Sequence, residues 1–183
     1  MKLPDAEVGR RLKIRLARTI GRSIVLGLDL HAIHEEDEKL RGRGMRGPKR
    51  RESPRRALVA AGKLVRAEIV CNALGITEKR LSKDVARARI FNVEVQGTQY
   101  YPAFVLADEL DRKDVAKVTR RLDGLSGWKK WEFFTESKRS LGELTPLQAL
   151  VRGEVKRVLM AAAAVVEQSQ NLESRNVPGP RKA

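Results

Sequence analysis

Hydrophobic positions recur at helical spacing in several separate stretches of the chain. The first begins at Pro4-Asp5: Val8, Leu12, Leu16, Ile20, Ile24 and Leu28 follow one another every four residues, while Arg10, Arg11, Arg15, Arg18 and Arg22 lie mainly off that stripe. Such a helix has one apolar face to bury, on its own domain, on a second copy of itself or on a lipid surface; packing within a homodimer is the favoured expectation. Gly21 and Gly27 are candidate breaks in it. Ser53-Pro54 reads as an N-cap followed by Pro at the first helical position, which predicts a helix over 54–64.

The stretch from Leu64 to Tyr101 carries the most specific order of elements. Ala67, Val70 and Leu74 keep helical spacing and Gly75 stands where a left-handed residue closes a helix. Thr77 can then cap a second helix, in which Leu81, Val85 and Ala88 point inward. At 100° per residue Lys79, Lys83 and Arg87 fall on the opposite face, with Arg80 beside them. Beyond it Phe91, Val93 and Val95 alternate with Asn92 and Glu94, Gln96-Gly97 can turn, and Thr98 to Tyr101 can return as a β-hairpin. Gln in a two-residue primed turn is strained, so a loop one or two residues longer is expected. A helix, a turn, a basic helix and a hairpin, in that order, match a helix-turn-helix with a wing. Two small amphipathic helices with solvated charges are the plainer reading.

Pro102 is expected to open a further helix in which Phe104, Val105 and Leu110 are buried, and Asp111 to Leu125 another, on Val115, Val118 and Leu122. Trp128, Trp131, Phe133 and Phe134 are half of the chain's aromatic residues, a concentration that suits a local core or, if exposed, an interaction surface. Thr145 and Pro146 begin a short helix that Gly153 stops, and Val155, Val158, Leu159, Ala162 and Val166 make the inner stripe of a last helix over 154–168. Residues after Gln170 show no core-forming pattern.

Charge changes this picture from a generic helical protein to one with a polyanionic partner. The 183-residue chain carries a formal net charge of +15 and a pI near 10.5. Between Arg41 and Arg56 eight basic residues, Arg50 and Arg51 among them, stand against Glu52 alone, interrupted by Gly and Pro. Such an arm can follow a DNA backbone or enter a minor groove, can bind RNA, or can serve as a basic spacer. With aromatics at 4 %, a sheet stacking single-stranded bases is a poor fit. The single cysteine, Cys71, suits a buried thiol and a reducing cytoplasm.

Chemistry-bearing clusters are sparse. His31, His34, Glu35 and Glu38 share helical spacing, but without a third His or Cys nearby they read as a solvated helix end, and neither metal nor cofactor is expected. The chain shows no Gly-rich phosphate loop and no nucleophile with its base, so it is not expected to be an enzyme. No apolar run is long enough to suggest a membrane span, and the Arg-rich start, which contains Asp5 and Glu7, reads as mature protein.

One family resemblance emerges in the last third. The residues Trp131-Glu132-Phe133-Phe134, Leu141, Leu144 to Leu150, Gly153 and Val158-Leu159, followed by an alanine-rich helix, resemble the C-terminal toxin-binding domain of the Xre/MbcA/ParS antitoxins, over residues 128–168. The resemblance implies the antitoxin of a type II toxin-antitoxin system, which represses its own operon and covers a RES-type toxin that consumes NAD. Thr145, Pro146, Leu147, Leu150, Gly153, Val158 and Leu159 match the family pattern and, with Trp128 and Trp131, form the expected partner-binding set.

The expected fold is therefore mainly α: a helix-turn-helix with a small β-hairpin wing, plus a C-terminal helical partner-binding domain. The expected divisions are 1–40, an amphipathic helical segment; 41–56, a basic linker; 57–110, the winged motif; 111–170, the toxin-binding-like domain; and 171–183, a tail. The expected function is a dimeric, DNA-binding transcriptional repressor that docks on double-stranded DNA with Lys79, Lys83 and Arg87 toward the groove, Arg80, Arg89, Arg50 and Arg51 on phosphates, and Thr98 and Gln99 on the wing. A solitary DNA-binding regulator or nucleoid-type protein, with a C-terminal dimerisation or partner module, is the alternative.

Overall fold

In the computed structural model, which describes residues 5–28 and 53–175, the chain is mainly α-helical with one small antiparallel sheet. Helix α1 (Asp5–Leu26) opens with Asp5 and Glu7 in its first turn, where carboxylates suit the helix dipole. It runs unbroken through Gly21, and only Gly27, at φ 70°, lies beyond its end. The N-terminal half of the apolar stripe does not face the core of the chain. Val8, Leu12 and Leu16 are 49 %, 65 % and 58 % exposed, and Leu28 is exposed too. The docked face instead carries Ala17, Gly21 and Val25, with Ile14, Ile20 and Ile24 half-buried at its edges.

The reason is close approach. This face lies on a 3-10 turn (Ala103–Leu106), and a Cβ on Gly21 would collide with the Ala103 carbonyl oxygen. Small side chains let the two backbones meet, and α1 settles with its larger residues outward. Arg18 donates to the Ala73 carbonyl (2.9 Å) and Arg22 pairs with Glu109, so two of the arginines fasten the helix at its flank.

Helix α2 (Pro54–Ala60) starts at the expected Ser53-Pro54 boundary but ends early. Leu64–Val65 form strand β1, in antiparallel pairs Leu64↔Pro102 and Val65↔Tyr101. Helix α3 (Ala67–Leu74) closes at Gly75, whose φ of 64° is the left-handed conformation expected there. In α4 (Glu78–Ala86) Thr77 accepts from the Arg80 N–H at 3.3 Å. This helix is shorter than expected: Arg87 is its C-cap, and Ala88, at φ 48°, has left the helix.

Strands β2 (Val93–Val95) and β3 (Thr98–Pro102) form the hairpin, with Val95↔Thr98 as the last pair. The loop is therefore the two residues Gln96 and Gly97, at φ 52° and 75°, not the longer one expected. A turn with both φ positive matches the twist of its strands, and pairing β3 on both sides, in the order β1-β3-β2, holds Gln96 in that conformation. Pro102 leads into the 3-10 turn, where a helix was expected. Its residues are all buried, and the Ala103 N–H donates to the Lys63 carbonyl at 2.9 Å.

Helix α5 (Arg112–Arg121) is capped by Asp111, which accepts from the Lys113 N–H at 2.7 Å, and stops short of the predicted Leu125. The aromatic cluster falls on α6 (Gly127–Thr135), capped by Ser126. Phe91 stacks on Phe134 at 5.9 Å, and Phe104 lies 5.3 Å from Phe134 and 6.0 Å from Trp131, so rings from α6, the 3-10 turn and the segment before β2 meet within the core. A second 3-10 turn (Arg139–Leu141) precedes α7 (Pro146–Val151). Here Thr145 and Gln148 form a reciprocal capping box, at 3.2 and 3.0 Å. Gly153, at φ 78°, separates α7 from α8 (Val155–Arg175), which extends past the expected end near 168.

Buried side chains from α1, the sheet, both 3-10 turns and α3 to α8 belong to one core cluster, which continues across the expected boundary at 110. Among the described residues no helix is long and apolar enough to cross a membrane.

Candidate nucleic-acid interface

Helix α4 is anchored by one deeply buried residue, Leu81, with Val85 half-buried beside it. The remaining periodicity turns Lys79, Ser82, Lys83 and Ala86 outward, and Arg87 leaves the helix end exposed. Among the described residues Lys79, Lys83 and Arg87 make no ion pair. The hairpin follows α4 directly. Gln96 and Gly97 are exposed at its tip, Thr98 is half-buried, and the exposed Gln99 reaches Glu94 through Nε2 at 3.5 Å. Arg50 and Arg51 lie outside the described residues, as do His31, His34, Glu35 and Glu38.

Two cations expected on phosphates have a partner within the protein. Arg80 Nε donates to Asp84 Oδ2 and Arg89 Nη1 to Asp84 Oδ1, each at 3.2 Å. The Asp84 side chain is 13 % exposed, against 55 % for Arg80 and 40 % for Arg89. The reading of the sequence missed Asp84, although its position four residues after Arg80 is the spacing of a helical ion pair.

Other contacts brace the hairpin from behind. Trp128 donates from Nε1 to the Glu94 carbonyl at 3.2 Å, and the Arg55 guanidinium stacks on its ring at 4.5 Å. A Cβ on Gly127 would collide with the Asn92 carbonyl oxygen, so α6 meets β2 as closely as backbone allows. Arg66 lies over Tyr100 at 5.9 Å. Trp128, half-buried, thus ties α2, α6 and the hairpin together.

Of the remaining partner-binding candidates, Trp131, Pro146, Leu147, Leu150 and Val158 are buried in the core. Thr145 and Leu159 are half-buried, and Gly153 is exposed at the α7–α8 junction. Between the second 3-10 turn and α8 an open groove is lined by Arg139, Arg157, Met160, Ala161, Ala164 and Val165, with Met160 projecting from it. No periodic signal singled out this groove, because its walls come from separate elements.

Three buried groups, Cys71, Tyr101 and Lys130, are shifted, the Tyr101 hydroxyl upward and chiefly by burial. Burial, and secondly the charge of Glu78, raises the Cys71 thiol above its ordinary value, which keeps it protonated and poorly nucleophilic. Burial lowers the Lys130 ammonium, with Asp123 at 3.8 Å opposing that shift. Among the described residues no three His, Cys, Asp or Glu side chains gather where they could hold a metal ion.

Compared with protein-family models, with curated proteins and with solved structures, the chain finds no match.

Proposed function

We propose that the protein is a double-stranded-DNA-binding repressor, acting as a homodimer in the cytoplasm and without catalysis of its own. The order α2-β1-α3-α4-β2-β3 is that of a winged helix-turn-helix, with α4 as the groove-facing helix and the β2-β3 hairpin as the wing. The observation that carries this reading is the row of Lys79, Lys83 and Arg87, turned to solvent and free of ion pairs among the described residues, beside an exposed hairpin tip. A net charge of +15 supplies the long-range attraction to a duplex.

The test is a titration of duplex DNA over a range of salt. Lys83→Ala is expected to weaken binding by about 1–3 kcal/mol if Lys83 reads a base, and to flatten the salt dependence by about one if it meets only a phosphate. A variant that changes neither would remove the basis of the reading.

The partner of the C-terminal helices is, in this proposal, the RES-type toxin implied by the antitoxin resemblance. In support, the Thr-Pro segment is a complete capping box with its Gly153 stop, and the groove lined by Met160, Ala161, Ala164 and Val165 leaves apolar surface open on α8. Co-purification of the full chain with such a toxin tests this part; a chain that leaves the toxin's NAD consumption unaltered argues for the solitary regulator instead.

A further inference from the structure

The pairing of Asp84 with two arginines has a consequence for how strongly α4 attracts any duplex. Asp84 sits on the flank of the helix, mostly buried, and both of its oxygens are occupied, one by Arg80 from the preceding turn and one by Arg89 from the segment leading to the hairpin. Because its carboxylate is shared, two of the five cations between Lys79 and Arg89 work against one half-buried negative charge, while Lys79, Lys83 and Arg87 have no ion pair among the described residues. Arg89 is also held against α4 where the backbone leaves the helix through Ala88, with the Arg89 N–H on the Asp84 carbonyl at 2.8 Å.

We infer that Asp84 is a positioning residue which restrains Arg80 and Arg89 and so limits sequence-independent attraction to phosphate, leaving the three free cations to set the docking of α4. This rests on the DNA-binding reading and deepens it. A carboxylate that holds two guanidiniums keeps them from following the backbone of whichever duplex passes, and its own charge repels phosphate. Restraint of this kind lowers non-specific affinity more than specific affinity, because non-specific binding is almost wholly electrostatic.

The experiment uses the full chain and a random-sequence duplex, with affinity followed over salt for the wild type, Asp84→Asn, Arg89→Gln and, as a control of the underlying reading, Lys83→Ala. Asp84→Asn is expected to bind the random duplex about three- to tenfold more tightly near 0.1 M salt, with a salt dependence steeper by about one, as a freed cation displaces one more counterion. Arg89→Gln removes a cation that is already opposed, so its salt dependence is expected to stay at the wild-type value, and it reports on the pairing even where Asp84→Asn fails to fold. Unchanged or weaker binding by a folded Asp84→Asn, or a dependence flattened by about one in Arg89→Gln, overturns the inference. If Lys83→Ala responds while those two do not behave as stated, the restraint alone is wrong; if Lys83→Ala is also silent, the DNA-binding reading falls and the restraint with it.

Discussion

Helices α1 and α4 are both basic and both amphipathic, yet only one of them turns its main hydrophobic stripe into the core of its own chain. In α4 Leu81 and Val85 turn inward, and every other side of the helix is polar or small, so a single phase satisfies the pattern. In α1 two faces compete: Val8, Leu12 and Leu16 on one, and Ile14, Ala17, Gly21 and Val25 on another. The second wins because it permits contact between backbones. Dispersion falls steeply with separation, so a face of Ala and Gly that reaches a neighbouring turn can outweigh a stripe of Leu held away from it. Size, as well as hydrophobicity, therefore sets the phase of a docked helix.

The strongest way to break that comparison is to take the close approach away. Gly21→Val places branched carbons where the Ala103 carbonyl oxygen already lies, and neither backbone can yield without moving α1 off the 3-10 turn. The expected outcome is a loss of about 3 kcal/mol in stability, read as a lower midpoint in a urea titration at constant slope. A midpoint equal to that of the wild type would mean that α1 does not dock through Gly21.

A smaller change, of opposite sign, belongs to the end of α4. Ala88 occupies the left-handed region at φ 48°, a conformation that glycine takes without the steric clash between Cβ and the backbone. Ala88→Gly is expected to raise stability by about 0.5–1 kcal/mol, the relief of that clash exceeding the added freedom of glycine in the unfolded chain. Thermal unfolding checks it; a lower melting temperature would show that the Ala88 methyl contributes packing beyond its half-buried position.

These contrasts separate what the sequence discloses from what it conceals. Gly75, Thr77 and the Thr145-Pro146 cap were legible because each bond spans at most four residues. Strand β1 was not. Its two residues take strand conformation only because Tyr101 and Pro102 lie alongside, far along the chain, and two residues carry no period. The 3-10 turn at Ala103–Leu106 was hidden in the same way: four consecutive buried residues satisfy neither a helical nor an alternating pattern. At the candidate site the outward cations of α4 followed from periodicity, whereas their division into paired and unpaired ones depended on where Arg89 returns after the helix ends. In the C-terminal third, apolar motif residues carried two meanings at once, and Leu147 and Val158 lie fully inside the core.

The gentlest test addresses the stripe that α1 leaves outside. Leu12 is 65 % exposed, so Leu12→Ser removes little apolar surface that folding had taken from water. The expected change in stability is below about 0.5 kcal/mol, the range of ordinary surface substitutions. The same value at low and high protein concentration would place the homodimer seam away from this stripe, against the expectation drawn from its spacing. A clear loss that grows with concentration would show a second copy covering Val8, Leu12 and Leu16 in solution, because an interface stabilises by mass action. The two faces of α1 would then both be buried, one by close approach within the chain and one by association. In that event the four-residue spacing of its leucines would mark the assembly and not the fold.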